Sequence, residues 1–366
     1  MENVFLIGSF NPISFLIENI PTLICFILVL GVVIIVHETG HFLFAKLCGI
    51  YVYEFSIGMG PKIFHYKKKG GETEYCLRAI PIGGFVQLAG EEVEDDTNVP
   101  KNRKLQDKKP WQRFLTMFFG AGFNFLFAML LLFMIGLFNG APKLDPVLTQ
   151  IEPNSQAALA GLEEGDRILK IDGKKISTID DISLYLTIKD HSNPTEFECL
   201  KKSGKKVTYE VTPTKEEVDD QTVYRYGIAL QGEVETGFFA SLRYMIQKTG
   251  SLFKQMWVTI VNLFTGGIKV NQLSGPVGIY NLVGEQSKTG FANMVYLVAF
   301  LSINVGFINL LPFPAFDGGR ILFVVIEKIK GSPVKAETEN IIHSIGFFLL
   351  MALMLCITIN DIIKLF

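Results

Sequence analysis

Two of the five histidines in these 366 residues stand four apart, in His37-Glu38-Thr39-Gly40-His41. On a helix, positions i and i+4 share a face, so both imidazoles can ligate one zinc ion. Glu38 beside them is placed to take a proton from water activated at the metal. Two imidazoles leave a catalytic zinc one protein ligand short of the usual three. A second motif, Asn309-Leu-Leu-Pro-Phe-Pro-Ala-Phe-Asp-Gly-Gly-Arg320, offers Asp317 as the third. Its prolines break a helix and free backbone groups, which apolar surroundings tolerate only where they are buried in protein or line a wet cavity. Gly318 and Gly319 allow close backbone approach. The competing readings are a buried polar cluster without metal and a Pro-Gly turn leaving the membrane.

The elements that must position these residues are apolar. Half the chain (49%) is hydrophobic, 19% is charged, and the mean hydropathy is +0.34. The net charge of −2 leaves no cationic excess to neutralise a phosphate backbone, so a nucleic-acid binder is disfavoured. Five Cys, two of them (Cys25 and Cys356) in apolar runs, define no disulfide framework. Four segments are candidates to span a bilayer. The first is uncharged from Ile20 to Val36 and continues through the histidines to Lys46; the second is Phe114–Phe138; the third runs from about Val295 to Pro312; the fourth is Ile341–Asn360, with His343 its only titratable side chain. No Lys or Arg precedes Lys46, which argues against a cleaved signal peptide. Lys46 lies nine residues beyond His37, about 13 Å along a helix. With Lys46 at the interface, the metal would lie within the bilayer, nearer the cytosol.

Lys and Arg placement predicts the orientation. Residues 46–113 carry twelve of them, and the short segment after the third span carries Arg320, Lys328, Lys330 and Lys335. Both are expected in the cytosol, with the N-terminus, residues 139–290 and the C-terminus outside. The stretch Phe238–Phe264, with Arg243, Lys248 and Lys254 among Phe, Leu, Met and Trp257, is expected to be an amphipathic helix on the membrane surface rather than a fifth span. From Val147 the pattern turns to short strands: Val147–Ile151, a Ser155-capped helix ending at Gly161, Asp166–Ile171 with an Asp172-Gly173 turn, a helix over 180–189, and a hairpin over 195–212 turning at Ser203-Gly204. The stretch Ala160-Gly-Leu-Glu-Glu-Gly-Asp-Arg-Ile-Leu-Lys-Ile-Asp-Gly173 resembles a PDZ domain. That implies strand addition by an extended peptide, or steric sensing of a substrate ectodomain.

Together the motifs resemble the site-2 protease family of intramembrane zinc metalloproteases. His37-Glu-Thr-Gly-His41 matches the family's H-E-x-G-H, and Asn309 to Gly318 matches its N-x-x-P-x-P-x-x-D-G. Phe55–Pro61 and Ile80–Val86 resemble its membrane-associated β-hairpin, and Trp111-Gln-Arg113 with Gly120–Asn124 resembles its core helix with G-x-x-x-N. Leu273–Ile279 is also similar to a family segment, while Ala121 departs from a usual Pro, with no loss of activity expected. The expected fold is an α-helical polytopic membrane protein of about four transmembrane helices, with a membrane-associated β-hairpin and an inserted extracytoplasmic α+β PDZ domain. The expected boundaries are 1–48 (first span), 49–113 (cytosolic and re-entrant hairpin region), 114–138 (second span), 139–232 (PDZ), 233–290 (surface helix and linker), 291–320 (third span) and 321–366 (cytosolic loop and fourth span). The resemblance implies His37, His41 and Asp317 on Zn²⁺, Glu38 as general base, and Asn309 and Asn124 as substrate-positioning residues; Asn309 could equally be a helix cap. It also implies single-pass membrane substrates in a bacterial inner membrane, such as anti-sigma factors or signal-peptide remnants. A membrane zinc transporter would need ligands spread along a path. A silent PDZ scaffold would have no use for Glu38.

Overall fold

The computed structural model describes residues 12–91, 98–191, 193–218, 221–230, 232–267, 273–332 and 334–363. Parts of the expected first span, cytosolic loop and linker (1–11, 92–97 and 268–272) lie outside the described residues. The chain divides into two compact units, residues 1–128 with 270–366, and residues 129–269.

The first unit opens with helix α1 (Pro12–Leu47), which carries the uncharged run and then both histidines. Strands β1 (Val52–Lys67) and β2 (Glu74–Leu88) follow as a hairpin. Its register doubles back: Ser56 is opposite both Phe85 and Cys76, so residues 54–57 run between two stretches of β2. The near half of β1 alternates buried and half-buried positions, while its far half is exposed. Inside the near half, buried Glu54 accepts from Arg78 at 2.7 Å and pairs with Lys62 at 2.8 Å, so its charge is not left unpaired. Helix α2 (Pro110–Asn139) starts at a proline, where the missing N–H costs nothing. Ala45, Ile50, Val52, Val86, Leu88, Leu105 and Met117 close one core between α1, the hairpin and α2.

The second unit begins with β3 (Ala141–Pro142), β4 (Gln150–Ile151) and α3 (Gln156–Leu159), the last capped by Ser155. Strand β5 (Arg167–Ile171) turns into β6 (Lys174–Lys175) through Asp172 and Gly173, both at positive φ, as a tight hairpin turn demands. Helix α4 (Ile179–Ile188) starts with a capping box between Thr178 and Asp181. Strands β7 (Thr195–Leu200) and β8 (Lys206–Val211) complete the sheet, in the order β6-β5-β7-β8. The hairpin β9 (Thr214–Val218) and β10 (Gln221–Arg225) follows, then β11 (Ile228–Ala229) and β12 (Val234–Glu235), which pair with β4 and β3. Leu148, Ile168, Ile171, Ile182, Phe197 and Val211 form the centre of one core. Cys199 lies in it, and burial pushes its thiol up to about 12, so it is a packing residue rather than a nucleophile.

Helix α5 (Phe238–Thr265) fills the expected amphipathic stretch. Its cations do not point away from the unit: Arg243 pairs with Asp145, Lys248 with Asp180 and Lys254 with Asp181, at 2.5, 2.9 and 2.9 Å. Phe239, Ile246, Trp257 and Phe264 are exposed along α5.

The chain returns to the first unit with α6 (Pro276–Thr289), α7 (Phe291–Asn309), α8 (Asp317–Lys330) and α9 (Ala336–Ile363). The Asp361 carboxylate accepts from the Gly275 and Gly278 amides at 2.8 and 2.9 Å, capping α6 from the far end of α9. Val29, Val33, Val283, Leu297 and Leu301 pack α1, α6 and α7 together. Four described helices are long and apolar enough to cross a membrane: Asn19–Leu47, Pro110–Asn139, Phe291–Asn309 and Glu337–Ile363. They coincide with the four expected spans to within a few residues. The segment expected as a loop after the third span is instead largely the helix α8, with Asp317 in its first turn.

Candidate metal centre

α1 carries His37 and His41 one turn apart, and α8 brings in Asp317 from 276 residues beyond His41. The two Nε2 atoms are 3.1 Å apart, and each lies 3.2 Å from Asp317 Oδ2. Three ligand atoms on one tetrahedral zinc, at bond lengths near 2.0–2.1 Å, stand about 3.3 Å from one another. The triangle is therefore of the right size for one ion. Both histidines are 8% exposed, and Asp317 Oδ2 is buried without a hydrogen-bond donor. A convergent carboxylate oxygen and two imidazole nitrogens with no donor between them suit a cation.

The ring orientation is set from behind. His41 Nδ1–H donates to the Thr116 carbonyl of α2 at 2.8 Å, which leaves the Nε2 lone pair facing the centre. Close helix contact makes this possible. A Cβ on Gly40 would run into the Phe119 backbone, and one on Gly120 would fall on the His41 ring. Asn124 is fully buried, its Nδ2 3.4 Å from His37 Nδ1, while its Oδ1 has no partner. Turning that amide by 180° puts Oδ1 where it accepts from His37 Nδ1–H, giving both imidazoles the same tautomer. Ser302 of α7 donates to the Asn124 carbonyl at 2.9 Å.

Glu38 projects toward β2, where a Cβ on Gly84 would lie 3.4 Å from Glu38 Cγ. The bare glycine leaves that carboxylate room beside the triangle. Asn309 is the half-buried last residue of α7. The turn from Leu310 to Phe316 is tight: a Cβ on Gly319 would meet the Phe313 carbonyl carbon at 3.1 Å. The structure thus brings His37, Glu38, His41, Asn124 and Asp317 together and sets Asn124 behind a ligand, away from the surface. Reasoning from sequence missed Thr116 and Gly120 as partners of His41. A backbone carbonyl carries no sequence signal, though Gly120 stood in the G-x-x-x-N pattern. A second acidic group, Glu54, Glu74 and Cys76, is already served by Lys62 and Arg78.

Comparison with known proteins agrees with this centre. The model of peptidase family M50 matches residues 25–353. The chain is 35% identical to the zinc metalloprotease RasP of Bacillus licheniformis, over 94% of this chain and 99% of the relative. It is 34% identical to the regulator of sigma-W protease RasP of Bacillus subtilis, over 95% and 99%. The zinc metalloprotease RasP of Geobacillus kaustophilus is 32% identical, over 96% and 100%. The chain belongs to peptidase family M50, the site-2 proteases. It is a metalloprotease and a membrane protein, and its His₂Asp donor set fits zinc.

Proposed function

We propose that this chain hydrolyses peptide bonds within transmembrane segments of single-pass membrane proteins, as a step of regulated proteolysis. The observation that carries this is the convergence of His37, His41 and Asp317 on one point of a unit built from apolar helices. Zinc held there supplies Lewis acidity, polarising the scissile carbonyl and lowering the pKa of the attacking water. Glu38 accepts the proton of that water and returns it to the leaving amine. Thr116 and Asn124 hold the two imidazoles in the ligating tautomer, and Asn309 orients the unwound substrate backbone. The substrate adds as a strand to the hairpin, which supplies the hydrogen bonds a helix cannot offer.

The Bacillus subtilis relative is named for sigma-W regulation; anti-sigma factors, together with signal-peptide remnants, are the substrate class we assign here. Residues 139–232 act as a PDZ domain outside a bacterial inner membrane, sensing substrate ectodomains. The helix 238–265 lies on that membrane surface through its apolar side, its cations being engaged by the domain. A membrane-embedded reporter tests the whole reading. Cleavage should stop with a zinc chelator and return with zinc, and deleting residues 147–213 should preserve cleavage of a short substrate while admitting substrates with bulky external domains. Chelator-resistant cleavage would refute the metal mechanism. Loss of cleavage of the short substrate in a folded deletion would refute the gating role.

A further inference from the structure

Between Ile341 and Asn360 of α9, His343 is the one residue among His, Asp, Glu, Lys and Arg, and hydrolysis at the metal centre makes no use of it. Its Nδ1 lies 3.1 Å from the Ala315 amide. An amide only donates, so Nδ1 is the acceptor and the neutral ring carries its proton on Nε2. Ala315 is one of three non-glycine residues at positive φ among those described, at +85°, a region an L side chain occupies only when its surroundings hold it there. It stands two residues before Asp317. One turn further along α9, a Cβ on Gly346 would meet the Pro314 carbonyl carbon at 2.7 Å, so the helix presses on the same turn at a second point. The Phe323 ring of α8 lies 5.7 Å from the His343 ring. Backbone bonds anchor the turn at its two ends, Leu310 and Leu311 to α7 and Gly319 of α8 to Phe316, while Phe313 to Leu311 and Phe316 to Phe313 are local; the His343 ring is the side-chain acceptor at Ala315.

We infer that His343 is a positioning residue: by accepting the Ala315 amide it locks the strained turn that delivers the Asp317 carboxylate to the two imidazoles. The inference rests on Asp317 as a metal ligand. Asp317→Asn is therefore run in parallel; full zinc retention there would overturn the metal-site reading itself, and through it this inference.

The experiment uses the full-length, zinc-loaded protein. His343→Leu removes the acceptor, whereas in His343→Asn the side-chain oxygen stands near the place of Nδ1. His343→Leu should lose zinc to a competing chelator about 10–100-fold more readily, as outer-shell losses do, and lower kcat with KM little changed. His343→Asn should stay near wild type. Ala315→Gly, which adopts positive φ without strain, should restore most of the zinc retention in the His343→Leu background. Wild-type retention in His343→Leu would overturn the inference, as would failure of either His343→Asn or the Ala315→Gly double variant to recover it. Nitrogen-15 histidine spectra of the unmodified protein give a check independent of any variant's folding: His343 is expected protonated at Nε2, and protonation at Nδ1 instead would overturn it.

Discussion

Gly40→Ala is the sharpest probe of how the helices hold the centre. The added methyl would stand 2.7 Å from the Phe119 carbonyl carbon and 3.0 Å from Gly120 Cα. The Phe119 carbonyl oxygen is nearer still. Ordinary contact between carbon atoms needs about 3.5 Å, so α1 and α2 must part locally by more than about 0.8 Å. Backbone on both sides leaves no flexible side chain to yield. The same displacement stretches the His41 Nδ1 to Thr116 bond from 2.8 Å to more than about 3.6 Å, beyond hydrogen-bonding range. Misplacement near 1 Å at a reacting centre costs up to about 100-fold in rate, and overpacking costs about 1–3 kcal/mol in stability. The control is Gly31→Ala in the same helix, where an added methyl meets nothing within 4 Å. Cleavage of a membrane-embedded reporter and bound zinc are measured for both. Gly40→Ala should lose most activity and part of its zinc, while Gly31→Ala should match wild type. Equal activity in the two variants would refute the close-crossing argument.

Glu38→Gln should abolish cleavage while zinc stays bound, whereas Asp317→Asn should lose zinc and activity together; metal analysis beside the reporter assay separates them, and appreciable cleavage by Glu38→Gln would remove it from its role. Cysteine labelling should find replacements at Lys67–Lys69 reactive from the cytosol and at Gly204 from outside, and the reverse pattern would sink the orientation. Burial holds the His191 imidazole below its ordinary value, so below about pH 6.5 the unfolded chain binds more protons than the folded one. Urea unfolding of the second unit should accordingly show stability that is constant above about pH 6.5 and falls on acidification through the depressed value. His191→Phe, which keeps a ring against Tyr224, should flatten that dependence; no difference between pH 7 and pH 5 in the parent would contradict it.

The parts legible in the sequence were those written in local patterns. The four apolar runs, the two histidines at helical spacing, the Asp172-Gly173 turn and the Ser203-Gly204 hairpin each depend on neighbours within a few residues. What escaped depends on distant partners. The cations of α5 look like a face for a membrane surface until Asp145, Asp180 and Asp181, 68–98 residues away, are seen to engage them. Helix α8 opens Asp317-Gly318-Gly319, and the two glycines, poor helix formers, obscure its periodicity; the turn packs against both. Asn124 was picked out by a motif, but only the packing of α2 on α1 shows that it stands behind His37. The β9–β10 hairpin and α6 had no distinct pattern of their own.

The 276-residue separation of His41 and Asp317 also sets a clock. At a synthesis rate of roughly 5–20 residues per second, the histidine pair is made some 15–55 s before its carboxylate partner. His343 and the Asp361 cap on α6 come later still. Helix α1 is therefore complete, with the hairpin and α2 able to pack on it, well before Asp317 exists. The triangle of His37, His41 and Asp317 cannot close until α8 has been made, and the contacts of α9 with Ala315, Gly275 and Gly278 form last of all.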